Sequence, residues 1–444
     1  MSRQFFGTDG VRGSVGSDPM TADFAMRLAS AAAQVLVPRG GTVVIGKDTR
    51  LSGYMFESAL EAGFVAAGAD VLLLGPLPTP GIARLTQEFN ADLGVVISAS
   101  HNRYSDNGIK FFDGNGSKLS DDIERQIEER LQEPAITLES HLLGKAKRID
   151  TARIRYQEFC AASLGDNVNL EGLKIVFDGA NGAGYKVGPR TLANLGAEVI
   201  PIGCSPNGKN INDGCGSTHP ELLKLTVPAV HADVGIALDG DGDRVVMVDE
   251  AGNLVDGDQL LYVLAAARKN QGALQGPVVG TVMSNLGLEH ALQGMGIDFR
   301  RAAVGDRYVL ELLRDSGGVL GGETSGHMLV LDKTTTGDGL LSALQVLAIM
   351  NESHKPLSEL VRGMSKYPQS MLNVRLEDRM DPNESPLIRE AVAAAEQELA
   401  DAGRVVLRAS GTEPVIRVMV EGRDEAQVIS LAQRLASVVA EAAA

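Results

Sequence analysis

Strand-like apolar runs alternate with helix-like stretches along most of this chain, and in three places such a run ends in a polar loop. Val43 to Ile45, Val71 to Leu74 and Leu93 to Ile97 read as strands. Tyr54 to Ala67 reads as a helix, and Leu119 to Leu131 as a charged amphipathic one. Alternation of this kind predicts α/β layers, with helices covering a mainly parallel sheet. The pattern restarts at Lys174 to Phe177 and again at Pro277 to Met283, so three related units are expected. Their polar loops are Ser98 to Asn102, Asp239 to Asp243 and Gly321 to His327. Ligands bind outside the carboxyl ends of strands in open α/β sheets, so the three loops could face one crevice. After about Met364 the texture changes. Strands near Leu372 to Leu376, Val405 to Leu407 and Val415 to Val420, with helices from about Ser385 to Ala402 and at the end, predict a small α+β domain. Glu377 to Glu384, polar with one proline, reads as a loop.

Asp239, Asp241 and Asp243 alternate with glycine between two apolar segments, Val234 to Leu238 and Val245 to Val248. In an extended stretch residues i, i+2 and i+4 face the same way, so the three carboxylates can converge. They repel one another unless a cation sits among them, and hard divalent cations take oxygen ligands of this kind. A bound Mg²⁺ or Ca²⁺ is therefore expected, against the plainer reading of a turn built from turn residues. An EF-hand would use the same aspartates with Glu250 as its last ligand, but Arg244 stands where that loop needs glycine.

The other loops offer complementary groups. Ser100, at a strand end beside His101, is a candidate attacking or phosphate-carrying hydroxyl, or else a cap for the next turn. The G-x-S-x-G elbow of esterases is absent. Lys110 follows close downstream. Arg408 to Pro414, with Arg417 after it, reads either as a plain turn or as a phosphate site, in which backbone N–H groups around Ser410, Gly411 and Thr412 turn toward an anion and the arginines match phosphate oxygens. The Walker spacing is absent. Glu323 and Ser325 on a glycine-flanked loop can hydrogen-bond sugar hydroxyls, and His327 beside them can equally be a satisfied, partly buried imidazole. Phe6 to Gly13 is a glycine-bearing turn whose Arg12 can reach an anion. Asp178 to Gly184 is glycine-rich after a strand but does not fit a dinucleotide fingerprint.

A net charge of −16 argues against nucleic acid and anionic membranes as partners. No apolar run approaches the ~18 residues of a membrane span, and no signal peptide is visible. Cys160, Cys204 and Cys215 are too irregularly spaced for a disulfide framework, so a reducing, cytoplasmic setting is expected. Length alone suggests about three domains.

Taken together and in this order, Phe6 to Gly13, Gly305 to Val309 and Arg408 to Pro414 make the chain resemble the α-D-phosphohexomutase superfamily over essentially its full length, and within it the bacterial phosphoglucosamine mutase family. The run at Gly305 and the glycine at 411 separate it from the phosphomannomutase/phosphoglucomutase relatives. The resemblance implies three related mixed-sheet α/β domains plus a small C-terminal α+β domain around a central cleft. Their expected bounds are residues 1–150, 151–252, 253–366 and 367–444. It implies that Ser100 is carried as phosphoserine, and that an oxygen of it joins Asp239, Asp241 and Asp243 around one Mg²⁺. Arg12, Lys110 and Arg244 would surround the transferred group. Lys110, His101 and His327 are the candidate general acid/base, with Lys110 preferred. Glu323, Ser325 and His327 would grip the sugar, and Arg408, Ser410, Gly411, Thr412 and Arg417 the phosphate not being transferred.

The implied reaction interconverts glucosamine 6-phosphate and glucosamine 1-phosphate, feeding UDP-N-acetylglucosamine and cell-wall precursor synthesis. Glucosamine or glucose 1,6-bisphosphate would serve as intermediate and primer. A homodimer is compatible with the resemblance. The alternatives are a phosphomannomutase or phosphoglucomutase of the same mechanism, a metal-dependent serine phosphomonoesterase, and a non-catalytic Ca²⁺ module.

Overall fold

The computed structural model of the chain describes residues 4–7, 9–37, 40–165, 168–378, 380–409 and 414–443. They form four sheets, one more than length alone suggested. The first has six strands in the order Val11–Ser14, Asp106–Asp113, Leu93–Ile97, Thr42–Lys47, Asp70–Pro76, Ala146–Arg148. The second runs Leu254–Val255, Val245–Val248, Val234–Leu238, Lys174–Asp178, Glu198–Ile202. The third runs Phe299–Ala302, Val278–Thr281, Leu320–Gly322, Met328–Val330. The fourth, Gln369–Arg375, Val415–Gly422, Gly403–Ala409, is wholly antiparallel.

A common four-strand pattern recurs in the first three sheets. A central strand pairs in parallel with an outer strand on one side and with a loop-bearing strand on the other. The loop-bearing strand then turns back into an antiparallel partner. The loop-bearing strands are Leu93–Ile97, Val234–Leu238 and Leu320–Gly322, so each polar loop occupies the same topological place in its unit. The expected repeat is thus present, in mixed rather than purely parallel sheets.

Element ends follow capping chemistry. The helix expected from Leu119 starts at Asp121, because the Ser120 hydroxyl accepts from the N–H of Ile123 and Leu119 turns into the core. The helix expected over Ser385 to Ala402 runs Pro386–Leu399 behind a Ser385 cap and ends in one tighter turn. Asp256 and Gln259 form a capping box on Gly257–Asn270.

One apolar cluster runs through the first three units, joining Val44 and Ile82 to Phe177 and Ile236 and to Leu261, Leu344 and Leu347. Each such buried side chain contributes roughly 1.5–3 kcal/mol, which binds the three units as one body. The fourth unit has a core of its own, including Ile388, Ile416, Val418 and Leu435. Polar contacts join it to the third: Asn285 exchanges hydrogen bonds with the backbone of Tyr367, and Glu421 accepts from the N–H of Leu286 at 2.9 Å. A separately packed unit on a polar joint can move relative to the rest.

Candidate active site

The Ser98–Asn102 loop turns abruptly out of its strand, and Ser100 takes a left-handed φ of +52°. A non-glycine residue there costs about 1–3 kcal/mol and persists only where its surroundings over-determine it. They do so here. The Ser100 N–H donates to Ser98 Oγ at 3.0 Å, and Ser98 Oγ donates to Asp48 Oδ2 at 2.5 Å. Arg50, fully buried, pairs with Asp48 and donates to the carbonyls of Ser100 (3.1 Å) and Asn102 (2.6 Å). Burial pushes the Asp48 carboxyl up, against the pull of Arg50. Replacing Arg50 with Met should therefore strand a buried carboxyl and cost about 3–5 kcal/mol. Its readout is an earlier urea transition; an unchanged midpoint would refute the brace.

Ser100 Oγ donates to Asp239 Oδ2 at 2.6 Å, and His101 Nδ1 lies 3.3 Å from Ser100 Oγ. Serine and aspartate come from different sheets, so the first two loops do meet. Asp239, Asp241 and Asp243 each offer an oxygen within 4.8 Å of the others, all buried. Asp241 Oδ2 accepts from Lys110 Nζ (2.8 Å) and Thr79 Oγ1 (2.7 Å). Its Oδ1, and that of Asp243, are buried with no hydrogen-bond partner. Orphaned carboxylate oxygens beside a third carboxylate are the donor set a hard divalent cation takes, so the trio fits a metal. Burial, reinforced by Asp243 and Asp241, holds the Asp239 carboxyl well above its usual range. Strands flank this loop in an antiparallel pair, where an EF-hand would have helices.

A chain of alternating charge links two of the three aspartates, Asp241 and Asp243. Lys110 Nζ bridges Asp241 and Asp9, each at 2.8 Å. Lys118 bridges Asp9, at 2.5 Å, and Asp306. His327 then completes it, 3.4 Å from Asp306 and 3.7 Å from Asp243. Burial disfavours the charge on Lys110, but Asp241, Asp9 and Asp243 outweigh it and hold the ammonium. Burial likewise opposes the His327 imidazolium, yet Asp243 and Asp306 push that ring up to about 9. His101 goes the other way: burial, then Arg244 and Arg12, push it down to about 4. Arg12 and Arg244 each keep a buried Nε without a hydrogen-bond partner, that of Arg244 lying 4.0 Å from Asp243 Oδ1.

Asp9, Lys118 and Asp306 were not among the residues singled out from sequence. Two of them lie inside motifs that were, at Phe6 to Gly13 and Gly305 to Val309; nothing local marks Lys118. His327, expected with the sugar-gripping groups, sits in the chain of charge between Asp243 and Asp306.

Glu323, Thr324 and Ser325 of the third loop line a cavity of about 250 Å³. Arg408 and Arg417 of the fourth unit line it too. Glu323 Oε1 accepts from the N–H of Gly305 at 3.0 Å, which fixes the carboxylate on the cavity wall. Arg408 and Arg417 are directly paired across neighbouring strands. Like charges placed opposite one another are unfavourable alone, and an anion between them reverses the sign. Ser410, Gly411 and Thr412 lie outside the described residues. Arg417→Ala should raise KM for a phosphosugar about 10-fold or more while changing kcat less, since hydrogen bonds to charged groups are worth ~1.5–3 kcal/mol. Steady-state kinetics check this, and an unchanged KM would remove Arg417 from the anion site.

Among the described residues no helix is long and apolar enough to cross a membrane. Four family signatures match in order. They are described as phosphoglucomutase/phosphomannomutase alpha/beta/alpha domains I, II and III, at residues 3–136, 155–252 and 256–367, and the C-terminal domain, at 371–438. The chain is 56% identical to a phosphoglucosamine mutase of Thioalkalivibrio sulfidiphilus, over 99% of this chain and 98% of that one. Among solved structures, a phosphoglucomutase/phosphomannomutase family protein from Burkholderia thailandensis superposes with a TM-score of 0.81 at 24% identity, covering 100% and 98% of the two chains. Aspergillus fumigatus N-acetylphosphoglucosamine mutase, in complex with GlcNAc-6P and magnesium, does so with a TM-score of 0.70 at 16% identity, covering 100% and 96%. These four matched domains, and the identity along the full length, mean that this chain belongs to the phosphoglucomutase/phosphomannomutase family, in its phosphoglucosamine mutase branch.

Proposed function

We propose that the chain interconverts glucosamine 6-phosphate and glucosamine 1-phosphate, with Ser100 as the phosphoryl carrier. The observation that carries this reading is the buried Ser100 hydroxyl, in a strained backbone, 2.6 Å from the first of three clustered aspartates. Relatives bearing the phosphoglucosamine mutase name at over half identity support the substrate.

In the forward half-reaction the free sugar hydroxyl attacks the phosphorus of phospho-Ser100. The P–Oγ bond breaks, the hydroxyl gives up its proton, and a 1,6-bisphosphate results. The bisphosphate turns end for end, and Ser100 Oγ attacks its other phosphoryl group, which leaves the isomer. Both halves are the same chemistry, so one serine serves both. Asp239, Asp241 and Asp243 would hold Mg²⁺, which neutralises charge on the transferring group when bound.

The protein's own part is positioning and charge, as phosphoryl transfer requires. Lys110 is fixed as a cation between Asp241 and Asp9, which favours charge stabilisation over the acid/base role expected of it. His101, kept neutral and near Ser100 Oγ, is the group here that can accept a proton. Arg12 and Arg244 supply Nε donors free of hydrogen bonds for the transferred phosphoryl, and Arg408 with Arg417 hold the other phosphate. Glu323 and Ser325 stand on the cavity wall where sugar hydroxyls would lie.

The test supplies protein, Mg²⁺, a trace of glucose 1,6-bisphosphate and glucosamine 6-phosphate, and follows phosphorus resonances. Glucosamine 1-phosphate should appear until equilibrium is reached. Release of inorganic phosphate instead would mark a phosphomonoesterase, and faster turnover of mannose or glucose phosphates would move the substrate assignment.

A further inference from the structure

We infer that Asn212 is a positioning residue for phosphoryl transfer: it ties the Ser100 loop of the first unit to the aspartate loop of the second. The inference rests on Ser100 being the phosphoryl carrier. Asn212 lies on the loop between Ile202 and Glu221, far in sequence from both site loops, and is buried. Its Nδ2 donates to the carbonyls of Ser100 (2.9 Å) and Asn102 (3.0 Å). Arg50 grips the same two carbonyls from within the first unit. Arg50 alone would hold the serine loop to its own sheet. Among the described residues, Asn212 is the side chain that hydrogen-bonds those carbonyls from the second unit, on which the aspartates sit.

The aspartate loop is shaped around this contact. A Cβ on Gly240 would fall 2.5 Å from the Ser100 carbonyl oxygen and 2.6 Å from Asn212 Nδ2. Glycine at 240 is what lets the serine backbone and the amide meet beneath the carboxylates. The glycine-rich run Asp178 to Gly184, which no step of the reaction uses, is the frame of the same ledge. The Ala180 carbonyl accepts from the Asn212 N–H at 2.9 Å, and the Ala183 N–H donates to the Gly240 carbonyl at 2.8 Å. Asp178 pins both ends, accepting from Ala180 N and Gly216 N at 2.9 and 2.8 Å. Thr49, next to Arg50, donates to the Asn181 carbonyl at 2.5 Å and docks the frame on the first unit.

Asn212 has a left-handed φ of +56°, so Asn212→Gly removes the amide without backbone strain. Asn212→Asp keeps the shape and replaces the donor with a carboxylate facing two carbonyl oxygens, and the urea midpoint of each variant, measured beside its rates, separates a folding defect from a loss of positioning. The experiment measures steady-state kcat and KM for glucosamine 6-phosphate, and the single-turnover rate at which glucose 1,6-bisphosphate phosphorylates Ser100, read by intact mass. A small misplacement of reacting groups costs up to about 10²-fold, so kcat and the single-turnover rate should fall together by about 10- to 100-fold in Asn212→Gly. KM should stay within about two-fold, and Asn212→Asp should be slower still. A purely structural role would lower the urea midpoint without this split. Rates within about two-fold of wild type, or a loss confined to KM, would overturn the inference. Wild-type protein that takes no phosphoryl group at Ser100 would instead overturn the functional reading beneath it.

Discussion

Ser100→Ala should retain the fold and lose mutase turnover by roughly 10⁴-fold or more, as loss of a covalent nucleophile does elsewhere. The fold should survive because the residue's backbone is held by Ser98 Oγ, Arg50 and Asn212, none of which touches the hydroxyl. Alanine meets the same left-handed penalty as serine, so no new strain arises. Among the described residues, the hydrogen bonds removed are those of Oγ to Asp239 and His101. Ser98 cannot take over the chemistry, because its hydroxyl is buried against Asp48 and Arg50. Two measurements decide the matter together. Wild-type protein treated with glucose 1,6-bisphosphate should gain the mass of one phosphoryl group mapped to Ser100, and the variant should gain none. Turnover by Ser100→Ala within about ten-fold of wild type would exclude the phosphoserine route.

Much of this site is written in short stretches, and those parts were legible. Asp239, Asp241 and Asp243 fall within five residues, and a strand-end serine beside a histidine is local too. The threefold repeat was legible for the same reason, since apolar periodicity is a property of single elements. What escaped were partners that only the folded chain brings together. Lys118 meets Asp9 from 109 residues away and Asp306 from 188. Thr79 reaches Asp241 across 162 residues, and Asn212 reaches the Ser100 carbonyl across 112. No spacing rule links such positions. The chain of charge around Lys110 was hidden for the same reason: a lysine's protonation depends on which carboxylates the fold brings beside it. Helix ends were misplaced by a few residues where a serine cap, rather than the apolar pattern, fixes the start.

Asp241→Asn should separate the metal's contribution from the serine's. Asp241 differs from its neighbours because Lys110 and Thr79 already occupy its Oδ2, leaving a buried, unpartnered Oδ1 for a cation. Burial alone would raise this carboxyl, but Lys110 holds it well below the usual range, so it is charged at any working pH. Asparagine can still accept from Lys110 and Thr79 through its oxygen. It then presents an amide nitrogen, which cannot ligate a hard cation, where Oδ1 stood. Turnover should fall about 10²-fold or more, the scale of losing one preorganised electrostatic stabiliser. Metal binding supplies an independent readout. Mg²⁺ should raise the wild-type melting temperature, because a ligand that binds only the folded state stabilises it, and the shift should vanish in the variant. Without metal the variant should melt lower than wild type, since the buried Lys110 ammonium loses one of its charged partners. A variant whose rate and melting temperature keep the wild-type dependence on Mg²⁺ would show that the cation binds elsewhere. Phospho-Ser100 formation would then have to be explained by Lys110, Arg12 and Arg244 alone.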